Sequence, residues 1–282
     1  KKIMILFPSI GRYGRLGNQL FQYAAGRSLA INNDTELFIH EPSTSECHGQ
    51  KCLLNNFNIQ VTHTPMSVTR AWKEKDPFII EQDFWHLPDN IFIDGFFQSI
   101  YYFESFQQII KQELTPKKLT STFIENIRST NNKPIVSIHV RRGDNVDGTD
   151  GAQTALRNMY NKDGIYEQYI NEAISYFGNV NFAVFSGGKR GANDNSDDIS
   201  WCKRFFKGDN YFFSESRSPI EDLCGIILCD HNIISHVSSF GWWGAYLNSN
   251  KNKKVIAPMN YHPDIPNFTH RHKFYPNDWI LK

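Results

Sequence analysis

The sequence has almost no net charge and no long apolar run. Its 282 residues include 30 Lys plus Arg against 29 Asp plus Glu, a formal net charge of +1. Such a balance produces no overall field that would collect nucleic acid or an anionic membrane, so any anion must be bound locally. Apolar stretches such as 3–7 and 226–229 are far shorter than the roughly 20 residues that span a bilayer. We therefore expect no nucleic-acid partner and no integral membrane segment.

Sequence patterns of several common site types are also missing. The five cysteines include no C-x-x-C pair with the spacing of a zinc site. No G-x-x-x-x-G-K-[ST] segment occurs, which argues against a P-loop nucleotidase. With 40% hydrophobic and 14% aromatic residues, the composition is that of an ordinary globular protein.

Strand and helix patterns alternate along the chain. An apolar strand at 2–7 and a Gly-rich turn precede apolar residues at helical spacing from 20 to 30, and a strand at 36–40 completes a β-α-β unit. A buried-looking strand at 135–140 restarts the alternation and favours a doubly wound parallel sheet. The polar segment 41–89 is only weakly periodic, and we predict short helices and loops there.

We predict two α/β domains and a C-terminal tail. Asn131-Asn-Lys-Pro134 is the best linker candidate, which gives a first domain over 1–132 and a second over 133–260. The tail, 261–282, is aromatic and polar. We predict that it packs back on the first domain.

The segment His139-Val-Arg-Arg-Gly-Asp144 closes an apolar strand, where open parallel sheets bind ligands. Two adjacent guanidinium groups suit a diphosphate, because Arg is permanently charged and binds oxygens bidentately. The alternative is a solvated Arg pair with Asp144 as its ion-pair partner. The motif alone leaves both interpretations open.

A second motif runs from Asp222 through a strand into a Ser238-Ser-Phe-Gly turn that begins a helix. Hydroxyl and N–H groups at a helix N-terminus bind phosphate well. The alternative is that Ser238 only caps the helix and that Trp242 and Trp243 belong to the core. For the tryptophans we favour the core.

Four segments resemble, in order, the motifs of the α1,2-fucosyltransferase family. They are 14–24, 95–99, 139–144 and 238–247, and they span nearly the whole chain. Membership implies an α/β, GT-B-like architecture of two Rossmann-like domains facing across a cleft, the first on the acceptor side and the second binding GDP-fucose. It also implies inverting transfer of L-fucose to an acceptor glycan, α1,2 to a terminal galactose, without a metal cofactor. The sequence contains no Asp-x-Asp motif.

The resemblance implies a role for each motif residue. Arg141 and Arg142 would hold the pyrophosphate, and His139 would line the guanosine pocket. Asp222 would read the guanine edge, since a carboxylate accepts both N1–H and N2–H. The other implied donor-binding residues are Asp144, Ser238, Ser239 and Phe240 beside the phosphates and Gly14, Gly17 and Asn18 beside the fucose. For Asn18 the alternative is a turn residue that satisfies its own backbone.

Two details resemble neighbouring families and leave the linkage open. The spacing from Asp222 to the Ser-Ser-Phe turn is that of protein O-fucosyltransferases, and the segment 146–150 resembles an α1,6-fucosyltransferase stretch whose acidic residue is the proposed base. Asp150 is therefore our first candidate for the base that deprotonates the acceptor hydroxyl, and Asp147 the second. A solvated acidic loop is the alternative. The alternative functions are α1,6 or protein O-linked transfer, or nucleotide-sugar or glycan binding without catalysis.

Overall fold

Two parallel sheets, each alternating with helices, form the architecture of the chain. The computed structural model describes residues 4–11, 14–39, 52–63, 68, 70–77, 79–147, 157–161, 164–187, 195–260 and 273–282. The chain divides into two units, the first formed by 1–118 with 269–276 and the second by 119–268 with 277–282. No helix in the described ranges is long and apolar enough to cross a membrane.

Both sheets are parallel throughout. The first sheet has the order β2-β1-β4-β3 and comprises β1 (Met4–Leu6), β2 (Glu36–Phe38), β3 (Arg70–Lys73) and β4 (Ile91–Asp94). The second has the order β10-β9-β8-β5-β6-β7 and comprises β5 (Ile135–Val140), β6 (Asn181–Ser186), β7 (Tyr211–Phe213), β8 (His231–Ile233), β9 (Val255–Ala257) and β10 (Ile280–Leu281).

The helices lie between these strands in the chain. The α-helices include α1 (Leu16–Asn32), α2 (Gln107–Glu113), α3 (Thr122–Thr130), α4 (Asp144–Asp147), α5 (Ile165–Ser175), α6 (Ser196–Phe205), α7 (Pro219–Ile227) and α8 (Ser239–Leu247). Short 3-10 turns occupy Leu54–Asn56, Gln82–His86, Ile100–Tyr102 and Glu104–Phe106.

Strand β5 lies inside the second sheet, between β8 and β6, and every one of its residues is buried. One of its faces packs Val136 and Ile138 in a cluster with Tyr169 and Ile170 of α5. The opposite face packs Ile135 in a second cluster. Its neighbours β6 and β8 run parallel to it, so the three strands end at one edge. The residues after β5 therefore emerge among the loops that follow β6 and β8.

Helix α3 belongs to the second unit, which corrects the predicted boundary after residue 132. Its apolar residues Phe123, Ile124 and Ile127 share one buried cluster with Ile135 and other second-unit residues. The unit boundary therefore precedes this helix, between 118 and 119. A polar linker at 131–134 marks only the turn between a helix and the strand on which it packs.

The described part of the tail is divided between the units. The Phe274 ring lies 5.9 Å from that of Phe21 in α1, within the first unit. Ile280 and Leu281 instead pair with β9 in the second unit. The predicted tail, 261–282, is thus not one structural piece.

Candidate active site

His139 is the last buried side chain on its face of β5. Its Nδ1 lies 3.0 Å from Ser238 Oγ, and its ring centroid is 5.5 Å from that of Phe240. Burial, and then the charge of Arg141, lower the pKa of His139 to about 3. The ring is therefore neutral at physiological pH, and its Nδ1 shares a hydrogen bond with the Ser238 hydroxyl.

Ser238 caps helix α8 and joins it to β5. Its Oγ accepts the backbone N–H of Gly241 at 3.0 Å, so Ser238 does cap the helix, and its predicted contact with phosphate stays a prediction. A Cβ at Gly241 would lie 2.9 Å from His139 Nδ1, a separation that only glycine allows. The N-terminus of α8, with Ser239 and Phe240 in its first turn, is therefore held against the end of β5.

Arg142 is fixed by buried groups. Its Nε lies 3.3 Å from Asp198 Oδ1, and its guanidinium carbon is 4.3 Å from the Trp201 ring centroid. The same carboxylate oxygen accepts the Gly143 N–H at 3.3 Å. Arg142 thus has an ion-pair partner in Asp198 of α6, whereas the alternative partner, Asp144, has a side chain that lies outside the described residues.

Arg141 makes hydrogen bonds through both its backbone and its side chain. Its N–H donates to Ser235 Oγ at 3.2 Å, and its Nη1 donates to the Arg142 carbonyl at 2.9 Å. Ser235 Oγ also lies 2.8 Å from the Tyr160 hydroxyl. The two arginines therefore differ: Arg142 is buried in an ion pair and an aromatic contact, whereas Arg141 is half-buried at the sheet edge.

Asp222 is a buried acid in α7. The Ser214 hydroxyl donates to its Oδ1 at 2.5 Å. Burial raises the pKa of Asp222 to about 7, while the Ser214 hydrogen bond and the positive charge of Arg217 oppose the rise. Asn195 supports Ser214 by donating to its carbonyl at 3.1 Å. This carboxyl group is thus placed to accept hydrogen bonds but is costly to ionise without a donor.

The predicted fucose-side residues lie at the start of α1 in the first unit. Gly14 has a φ of +81°, and Gly17 and Asn18 occupy the first turn of the helix. Asn18 Oδ1 accepts a hydrogen bond from Gln98 Nε2 at 2.7 Å. The alternative of purely local turn bonding is thus incomplete, since the Asn18 side chain also bonds a distant segment.

The candidate bases are only partly described. Asp147 ends α4, but its side chain lies outside the described residues, as does the whole of Asp150. Trp242 and Trp243 are fully buried, so the core interpretation of the tryptophans is confirmed. Among the described residues, no group of three or more His, Cys, Asp or Glu is placed to hold a metal ion.

Sequence reasoning missed the residues that support the motifs. Asp198, Trp201, Ser214 and Ser235 lie well outside the Arg motif in sequence and contact motif residues only through the fold. An acidic residue in the first turn of a helix is too common to single out. The one available signal was Asp198 and Trp201 at i, i+3, which places both on one helix face.

The parallel β-α units and a likeness to known structures define the class. A crystal structure of the α1,6-fucosyltransferase NodZ, soaked with GDP-fucose, matches with a TM-score of 0.51 at 13% identity, over 88% of this chain and 93% of that one. The chain therefore has the predicted α/β, GT-B class of glycosyltransferase fold.

The family follows from the sequence itself. The model of glycosyl transferase family 11 matches residues 5–282, and the chain belongs to that family. An α1,2-colitosyltransferase from Escherichia coli is 27% identical over 87% of this chain and 89% of its own length. A galactoside α-(1,2)-fucosyltransferase 2 from Bos taurus is 24% identical over 92% of this chain and 73% of its own. The resemblance to this family is confirmed.

Removing the two arginines should have unequal effects on folding. Arg142→Ala removes the guanidinium partner of the buried Asp198 carboxylate and should lower the free energy of unfolding by about 3 kcal/mol. Arg141→Ala, and Arg204→Ala on the exposed face of α6 as a control, should each cost less than about 1 kcal/mol. Urea denaturation measures all three. Equal losses for the two motif arginines would contradict the distinction between them.

Asp222→Asn should stabilise the ligand-free protein at high pH. A raised folded-state pKa means that stability is present below the unfolded pKa and is lost as pH rises through about 7. The Asn variant keeps an oxygen for the Ser214 hydroxyl and should gain about 2 kcal/mol at about pH 8, with no gain at about pH 4. Urea unfolding across pH checks this, with exposed Asp209→Asn as control. A variant less stable than wild type at both pH values would refute it.

Proposed function

We propose that this family 11 chain transfers L-fucose from GDP-fucose, with inversion, to a hydroxyl of an acceptor glycan, forming an α1,2 linkage to a terminal galactose. The observation that carries the proposal is Arg141 at the carboxyl end of β5, next to Arg142, which the Asp198 ion pair immobilises. A permanent cation at that edge of a parallel sheet suits a diphosphate.

The names of the relatives agree on the α1,2 linkage but differ in the sugar that is transferred. The Escherichia coli relative is named an α1,2-colitosyltransferase and the Bos taurus relative an α-(1,2)-fucosyltransferase. Both names give an α1,2 linkage, whereas the transferred sugar differs. The α1,6 linkage of NodZ carries no weight here, because 13% identity relates the two chains by fold alone. A colitosyl donor is therefore the second candidate, and α1,6 or protein O-linked transfer is less supported.

The proposed mechanism stabilises a departing diphosphate. Breaking the bond between the anomeric carbon and the β-phosphate oxygen builds positive charge on the sugar and negative charge on GDP. Fixed positive groups beside that phosphate stabilise the transition state more than the ground state. We assign this work to Arg141, which lies next to the immobilised Arg142, and to the N-terminus of α8, at Ser238, Ser239 and Phe240, as a further positive pole.

The nucleotide and the sugar are assigned to separate residues. Asp222, oriented by Ser214, would accept the guanine N–H groups in its ionised form, and His139 would line the guanosine pocket. The family resemblance assigns Asp144 to the donor and Gly14, Gly17 and Asn18 to the fucosyl ring. We further propose that transfer needs no metal cofactor, since the arginines supply positive charge at the diphosphate.

The acceptor hydroxyl must lose a proton as it attacks the anomeric carbon. A carboxylate in the loop after the Arg pair is a suitable base, and Asp150 remains the first candidate and Asp147 the second.

A donor and acceptor panel tests the proposed function. Wild-type protein should transfer fucose from GDP-fucose to a terminal galactoside, and linkage analysis should find an α1,2 product that also forms in EDTA. Arg141→Ala should lower kcat by about 100-fold or more, and Arg204→Ala should not. Exclusive use of GDP-colitose would favour the second candidate. An α1,6 or peptide-linked product would refute the proposed α1,2 linkage. No sugar transfer at all would refute the proposal that the protein is a glycosyltransferase.

Substitution of the candidate bases tests the proton transfer. Asp150→Asn should lower kcat by about 100-fold and remove the acidic limb of its pH profile, because an amide cannot accept the proton. Asp147→Asn, three residues earlier in the same acidic segment, is the matched comparison. A loss confined to Asp147→Asn would transfer the role to that residue, and unchanged kcat in both would remove both from the mechanism.

A further inference from the structure

The segment 95–99 carries one of the four family motifs, and the proposed mechanism gives none of its residues a role. It follows β4 directly, at the carboxyl end of the first sheet. That edge is where parallel α/β sheets bind ligands. The segment contains Phe97 in a left-handed conformation, its backbone binds the buried acid Glu74, and its Gln98 amide faces that of Asn18, which together indicate more than a connecting loop.

Glu74 holds the beginning of this turn. Its Oε2 accepts the backbone N–H of Phe96 at 2.8 Å and of Phe97 at 3.2 Å. A Cβ at Gly95 would lie 2.6 Å from the Glu74 Cβ, so the close approach requires glycine. The other carboxylate oxygen of Glu74 is buried without a hydrogen-bond partner among the described residues. Burying a carboxyl group costs free energy, and here its hydrogen bonds to the Phe96 and Phe97 N–H groups offset that cost. These bonds hold the turn in one conformation.

Phe97 adopts a backbone conformation that aromatic residues avoid. Its φ is +51°, and its ring is fully buried. The ring stacks on Trp72 at 6.0 Å and makes an edge contact with Phe7 at 5.5 Å. Packing and the Glu74 carboxylate together hold a strained turn, and such strain is concentrated at functional sites.

The turn delivers the Gln98 amide to helix α1. Gln98 Nε2 donates to Asn18 Oδ1 at 2.7 Å. One helical turn further, Gln22 Nε2 donates to the Gly95 carbonyl at 3.0 Å, so α1 grips both ends of the turn. Gln98 Oε1 receives no hydrogen bond within the described residues. An amide with one end fixed and an acceptor available is well suited to a hydroxyl group.

We infer that Gln98 binds a sugar hydroxyl during the proposed transfer and that Glu74 is the positioning residue that builds the turn presenting it. This inference rests on the proposed function. The sugar is identified by its chemistry alone, a ring hydroxyl that donates to the Gln98 amide oxygen. Both the donor sugar and the acceptor sugar offer such a group, and the experiment separates them.

The first test compares Gln98→Ala with Gln108→Ala, an exposed glutamine of α2 in the same unit. Gln98→Ala should lower kcat/KM for transfer by about tenfold or more, the effect of losing a hydrogen bond to substrate. The control should remain within about twofold of wild type. Affinity for GDP, which lacks both sugars, should be unchanged in both variants.

Release of GDP from the sugar nucleotide without acceptor identifies the source of the hydroxyl. If Gln98 binds the acceptor sugar, the KM for acceptor rises and acceptor-free hydrolysis is unchanged. If it binds the donor sugar, transfer and hydrolysis fall together. Either result supports the inference.

The second test concerns Glu74. Glu74→Gln keeps one oxygen to accept the two backbone N–H groups and should retain most of the transfer activity, whereas Glu74→Ala should lose about as much as Gln98→Ala. Adding Gln98→Ala to Glu74→Ala should cause little further loss, because both changes act on one amide. Glu104→Gln, at an exposed position, is the control. If Glu74→Ala fails to fold, the Gln98 and Glu74→Gln variants still decide.

Failures of the two proposals are distinguishable. A wild-type protein that transfers sugar while Gln98→Ala keeps transfer within about twofold would overturn the inference and leave the proposed function intact. Glu74→Gln as inactive as Glu74→Ala, or fully additive losses in the double variant, would overturn the positioning role. A wild-type protein inactive on every donor would overturn both.

Discussion

The ion pair of Arg142 with Asp198 is the interaction on which the geometry at the carboxyl edge of the second sheet depends. Two charges with little solvent around them stabilise a fold only when each has its partner, and here the Trp201 ring and the Gly143 N–H complete the arrangement. The pair ties Arg142, in the loop after β5, to α6, more than fifty positions away in the chain. The Arg141 backbone N–H is held separately, by Ser235 Oγ.

A second link connects the same strand to helix α8. The neutral His139 ring, the Ser238 cap and the missing side chain of Gly241 are mutually dependent. The hydroxyl of Ser238 accepts the Gly241 N–H of the helix and shares a second hydrogen bond with the neutral imidazole. Strand β5 leads into the permanently charged Arg pair, and helix α8 contributes its N-terminus. The contact between His139 and Ser238 joins these two elements, so two of the family motifs form one structural unit.

The sequence predicts the central elements of the fold better than its edges. Strand β5 begins and ends where the hydrophobic pattern places it, because all of its residues are buried. Strand β3 was missed, since Arg70 and Lys73 are exposed on an edge strand and only pairing with β4 makes the segment extended. For the site, the motif residues were identified from resemblance, whereas Asp198, Ser214 and Glu74 were not. Their contacts depend on how distant helices and strands meet, which no local pattern encodes.

Each of the two units is built from two separate segments of the chain, and this limits how the protein can be recombined with a relative. Residues 269–276 return to the first unit after the second has been built, and 277–282 then supply β10 to the second. Neither unit is therefore a continuous stretch of polypeptide. In a chimera of two relatives joined at residue 118, residues 269–276 of the first unit would come from the other parent. Both units keep their own residues only if 269–276 come from the same relative as 1–118, and 277–282 from the same relative as 119–268.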